Sequence, residues 1–186
     1  MGKRKRKDAE SLLKDDRRAN QMGLFIDIGS NCGMALMGKG EVIFAKQFDL
    51  YDGNAKATQG ERFLNFQLAF TQQADKYSKY ISYVGYEDSF HQQGMAQQYF
   101  LGSLGVLKMM CASRAFDLYK VPTKTAKKFG VGSQTKDKEV ITNAINTKFD
   151  LDLDPSTESD AADAVTVGCG FYGLLETNPF GLKLNR

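Results

Sequence analysis

Asp27 interrupts an apolar run, Phe25-Ile26-Asp27-Ile28. A carboxylate in such a run is costly to bury unless a cation or hydrogen bonds compensate it. Strand alternation could instead turn Asp27 to solvent. Glu87 closes a second β-type run, Tyr83-Val84-Gly85-Tyr86, with Asp88 beside it as a rival. Acids at the carboxyl ends of strands lie where open α/β sheets gather their ligands. Asp160 and Asp163 are separated by two alanines. On a helix that spacing puts both carboxylates on one face, about 5–6 Å apart at Cβ, and a shared divalent cation would relieve their repulsion. Asp160 also fits a capping box begun by Thr157, and acids near a helix start favour the macrodipole.

The remaining inventory narrows the chemistry. His91 is the only histidine, and Cys32, Cys111 and Cys169 form no C-x-x-C pair. Zinc hydrolysis on a histidine cluster is excluded, and any metal work falls to carboxylates, which favour magnesium or manganese. Asp150, Asp152 and Asp154 imitate a calcium loop, but Pro155 stands where that loop needs glycine and Ala161 where it needs glutamate. Gly130-Val131-Gly132 is too short for a dinucleotide fingerprint.

These acids need a scaffold, and the hydrophobic pattern supplies one. Strands are expected at Leu24–Ile28, Gly33–Met37, Glu41–Leu50, Tyr80–Glu87 and Phe116–Val121. The first three, joined by tight turns, form an antiparallel meander. Helical spacing of Phe63, Phe66, Phe70 and Ala74 marks a helix over 61–79, and further helices are expected over 91–114, 137–148 and 158–176. Pro122 can open a helical turn. The order, βββ-α-β-α-β-α-α, is that of an α/β layered domain with helices on the sheet faces.

The 186 residues suit one domain at 23–186 behind a basic arm at 1–22. That arm carries eight lysines and arginines against four acids, so the chain's net +3 divides into +4 on the arm and −1 on the rest. Such an arm suits phosphate backbones, a localisation signal or a solvated tail. No apolar run is long enough to span a membrane and no secretion signal is recognised, so a reducing, cytoplasmic compartment is expected.

The order of the acids resembles that of Holliday-junction resolvases of the RuvC type. Ile26-Asp27-Ile28-Gly29-Ser30 with Gly33 is similar to that family's first-strand signature. Glu87 followed three residues later by Phe90 matches its glutamate and aromatic, and Ser159-Asp160-Ala161-Ala162-Asp163-Ala164 its D-A-A-D-A helix. The stretch from Pro122 to Lys136 is similar to its lysine-rich G-x-G segment, in a form closest to phage or viral members. The resemblance covers about residues 23–176.

It implies an RNase H-like fold with a five-stranded mixed sheet, the meander plus two parallel strands, and helices on both faces. It implies that Asp27, Glu87, Asp160 and Asp163 hold two magnesium ions roughly 4 Å apart, with manganese able to substitute, for in-line hydrolysis of phosphodiesters. Lys127 and Lys136 would assist catalysis. Phe90, Lys124, Lys127, Lys128, Lys136 and Lys138 would contact DNA, with Lys136 and Lys138 competing for one role and Lys124, Lys127 and Lys128 for another. The expected substrate is a four-way junction or other branched DNA, cut by a homodimer whose interface uses the small residues of helix 91–114. Other nucleases of this fold, including RNA–DNA hybrid nucleases, remain open. So do a non-catalytic binding module and an actin-like ATPase relative, though the latter needs two such domains.

Overall fold

The structure, a computed structural model, describes residues 22–38, 40–88 and 94–185. The arm at 1–21, with Lys39, Phe90 and His91, lies outside the described residues. Three strands open the fold: β1 (Met22–Ile28), β2 (Cys32–Gly38) and β3 (Glu41–Phe48). Helix α1 (Gln59–Lys76), β4 (Ile81–Asp88), α2 (Met95–Ser113) and β5 (Asp117–Pro122) follow. The chain then runs through α3 (Thr123–Val131), α4 (Lys138–Phe149) and α5 (Ser159–Thr177) to β6 (Lys183–Leu184).

The sheet has six strands in the order β3-β2-β1-β4-β5-β6, not the expected five. β1, β2 and β3 form the antiparallel meander, and β4 and β5 join β1 in parallel. The sixth strand pairs antiparallel with β5 through Tyr119 and Lys120. Two residues carry no periodicity, so nothing in the sequence marks it. Helix α3 is a second addition. It starts after Pro122 and stops at Gly132, whose positive φ of 79° lets its amide reach the carbonyls of Lys127 and Lys128. Of the Gly130-x-Gly132 pair, Gly132 is therefore the helix stop, while Gly130 lies within the helix, where a Cβ would meet Thr166 at 2.9 Å.

Alternation along β1 divides the core. Leu24, Ile26 and Ile28 face α1 and α2, joining Phe66, Phe70 and Leu107. Phe25 faces the opposite way, with Ala35 and Met37, toward α5. Residues 161–173 of α5 are buried throughout, and its ring Phe171 lies 5.3 Å from Phe25. Gly170 lets the helix settle against α3, because a Cβ there would meet the Ala126 backbone at 2.7 Å. Across the sheet, α1 is started by Thr58, whose hydroxyl accepts the Glu61 amide while Glu61 accepts the Thr58 amide. No helix among the described residues is long and apolar enough to cross a membrane.

Candidate metal centre

The site is built on one row of the sheet. Gln47 of β3 pairs with Gly33 of β2, and Gly33 pairs with Asp27 of β1. Ile26 pairs with Tyr86, so the next step along both parallel strands brings Glu87 beside Asp27. All four residues share the parity of Phe25 and Ala35, and so face α5. That parity separates Glu87 from its neighbour. Asp88 faces the other way and pairs with Lys120 at 2.9 Å.

Over this row lies the start of α5. A Cβ on Gly33 would stand 1.7 Å from the Asp160 carbonyl oxygen, so only glycine admits the helix so close. The capping box expected at Thr157 is absent: Glu158 is the N-cap and makes no side-chain cap bond. Gln47 takes over part of that role, its Oε1 accepting the Asp160 amide at 3.1 Å. The helix start is therefore fixed to the sheet by a glycine and a glutamine 14 residues apart in sequence, on adjacent strands.

Carboxylate oxygens of Asp27, Asp160 and Asp163 come within 4.8 Å of one another. Burial, then the charges of Asp163 and Glu87, hold the Asp27 carboxyl well above the usual carboxylate range, and Lys138 opposes them. Burial also raises Glu87, with Thr123 beside it pulling the other way and Asp163 adding to the rise. Glu87 stands outside the three-acid group but within its field. The Cys32 thiol beneath is pushed well up by burial and then by Asp27 and Asp160, which keeps it protonated.

Among the described residues, one lysine forms ion pairs with these acids. Lys138 bonds Asp160 at 3.0 Å and also Asp163, from a side chain 48% exposed. Burial works against its charge, but Asp163, Asp27 and Asp160 outweigh that and drive the ammonium upward. An all-oxygen donor set held by a lysine ammonium fits a hard divalent cation in chemistry and charge.

Among the other lysines, Lys127 is half-buried, donates to the Thr135 carbonyl at 3.0 Å and lies within the field of Glu87. Lys124 and Lys128 are exposed on α3. Lys136 is exposed in the loop before Asp137, which caps α4. Lys138, the first residue of α4, is the one of these lysines that pairs with Asp160 and Asp163. Gln47 and Thr123 were missed in the sequence, where neither carries a motif.

The fold has solved relatives in shape. Thermus thermophilus RuvC in complex with a Holliday junction substrate superposes with a TM-score of 0.67 at 15% identity, over 84% of this chain and 97% of that one. Another structure of T. thermophilus RuvC gives 0.63 at 14% identity, over 83% and 96%. The chain thus has the RNase H-like fold of RuvC. No protein-family model and no curated protein matches it.

Proposed function

We propose that this chain is a magnesium-dependent endonuclease that cuts branched DNA, with four-way junctions as its principal substrate. The observation that carries the reading is the group Asp27, Asp160 and Asp163 at one end of an RNase H-like sheet. The similar protein of known structure holding a Holliday junction substrate supports the choice of DNA. Asp27, Asp160 and Asp163 would hold one ion, and Glu87 with them a second. Bound magnesium, or manganese in its place, supplies Lewis acidity at the phosphodiester.

The chain's own residues do the rest. Lys127 offsets charge on the reacting phosphate, and Lys124, Lys128 and Lys136, exposed on α3 and in the loop that follows it, hold flanking phosphates. Lys138 leaves the acids when a divalent cation arrives and turns its charge to the DNA. Phe90 stacks on bases opened at the branch, and the arm at 1–22 adds backbone contacts wherever the duplex passes.

Symmetric cutting calls for two copies. Two of the small residues of α2, Gly102 and Ser103, pack inside the molecule: a Cβ on Gly102 would strike the Phe63 ring, and Ser103 is fully buried. Another stripe of α2 offers an exposed apolar surface to a second copy. Leu101 and Met109 are exposed there, Gly105 between them meets nothing, and Leu64 and Leu68 of α1 are exposed as well.

The test is purified full chain with magnesium on four-way, three-way and flap DNA, RNA–DNA hybrid and linear duplex. Paired nicks in the four-way junction are expected. Preference for the hybrid would move the reading to another nuclease of this fold, and inertness on all five would remove it.

A further inference from the structure

On the far side of β1 from the acids lies a cavity of about 310 Å³, lined by Ile28, Gly29, Ser30, Arg62, Met95, Ala96, Tyr99 and Phe100. Its size falls at the lower end of small-ligand sites, which run from roughly 300 to 1,000 Å³. Arg62 is its charged member. The guanidinium carbon lies 3.8 Å from the Tyr99 ring centre and 4.4 Å from that of Tyr51. Both rings hold it, and Phe63 stacks behind Tyr99 at 5.4 Å. With aromatic groups against it, the guanidinium is left to bind through its in-plane edge.

That edge is incompletely used. Nη2 donates to the Ser30 carbonyl at 3.2 Å, but the buried Nε has no hydrogen-bond partner. No carboxylate among the described residues lies within ion-pair distance of Arg62. A guanidinium with no described carboxylate in ion-pair reach, in a cavity that also offers the apolar side chains of Ile28, Met95 and Phe100, is matched by an anion carrying an apolar body.

We infer that this cavity is a nucleotide subsite, taking the phosphate of one DNA nucleotide on Arg62 and its sugar and base against Met95, Phe100 and Ile28. The inference rests on the nuclease reading for its substrate class. Ile28 follows Asp27 directly, and the two point to opposite faces of β1. A single strand crossing the carboxyl end of that strand could therefore place one phosphodiester at the acids and a flanking nucleotide here. The subsite would bind a displaced, unpaired strand better than stacked duplex, because the cavity receives one base and offers no complement to it.

The probe is thymidine 3′,5′-bisphosphate, titrated in EDTA against full chain labelled at the methionine methyls, with thymidine and inorganic phosphate as separate arms. The bisphosphate should shift the Met95 methyl and bind at least about tenfold more tightly than either fragment. Arg62→Gln should weaken it by about tenfold or more. Because Arg62 also braces two tyrosines, Ala96→Trp supplies the second variant: it fills the cavity from an exposed position and should abolish the shift with the thermal midpoint unchanged. Equal binding by Ala96→Trp and the parent would overturn the subsite, as would a bisphosphate no tighter than phosphate alone. Junction cleavage in magnesium, run in parallel, separates the two readings. Cleavage without bisphosphate binding sinks the subsite alone, and bisphosphate binding without cleavage of any DNA sinks the nuclease reading while the cavity's specificity stands.

Discussion

The two faces of the sheet are packed by different means. Toward α1 and α2 the core is large and aromatic, with Phe66, Phe70, Tyr77, Tyr86, Tyr99 and Phe100 filling the space between layers. Toward α5 a ring cluster of Phe25, Phe171 and Tyr172 is accompanied by close backbone contact: Gly33 admits the Asp160 carbonyl, Gly170 admits α3, and the alanines at 161, 162 and 164 are fully buried. Side chains in the first face can shift rotamers to absorb change, whereas backbone against backbone cannot. The acids stand on the second face. Carboxylates that must share an ion are thus positioned by peptide groups, and the adaptable face carries the cavity and the exposed apolar stripe.

Gly33→Val strikes the rigid face hardest. Its side chain would overlap the Asp160 carbonyl, so cleavage should vanish and stability fall by about 3 kcal/mol, near the top of the usual overpacking range. Denaturation in urea checks the second part. A small change in both would mean that α5 can lift from the sheet.

Asp27→Asn keeps the shape and removes the charge. Cleavage should drop by more than about 100-fold, beyond what changes around a metal's ligands cost, while stability in EDTA at neutral pH rises. The sign follows from the raised Asp27 carboxyl, which keeps its proton in the folded state at pH values where the unfolded chain has lost it. Stability tied to that group is present below the unfolded value, about 3.9, and is lost as pH climbs through the raised folded one. The parent protein in EDTA should therefore weaken as pH rises across that window. Asp27→Asn and added magnesium should each flatten the trend, read from urea midpoints at successive pH values.

Lys138→Met separates the lysine's role as counter-ion from any role in cutting. Without metal it should cost about 1–2 kcal/mol, between an exposed pair and a buried one because the side chain is half exposed. Magnesium should then raise the variant's melting temperature more than the parent's, since its competitor is gone. Equal gains would show that lysine and metal do not compete. The smallest effect belongs to the other face: Asp88→Asn loses a surface pair with Lys120 worth under about 1 kcal/mol and should cut normally.

Much of this was legible in the sequence because hydrophobic period survives in long elements. The meander, the two parallel strands and four of the helices fall where the pattern puts them, and the acids come in the order of their strands. What was hidden depends on tertiary geometry. The choice between Lys136 and Lys138 turns on where α4 begins. Side chains lean toward a helix's N-terminal end, so a lysine at the first position can reach back to the acids at the neighbouring helix start. Lys136 precedes the Asp137 cap and remains in the loop. Gln47 carries no signal at all, since a polar residue at a strand end is ordinary until a helix lands on it. Strand β6 is too short for any pattern and exists because Tyr119 and Lys120 offer an edge.

Single-turnover cleavage of an immobile four-way junction tests the central claim most directly, comparing the parent and Asp163→Asn across a magnesium titration with junction binding followed alongside. The expected result is metal-dependent paired nicking by the parent, and a variant that binds the junction equally well but hardly cuts at any magnesium concentration. Full cleavage by Asp163→Asn, or cleavage by the parent that persists in EDTA, would contradict the assignment of these acids to a metal centre.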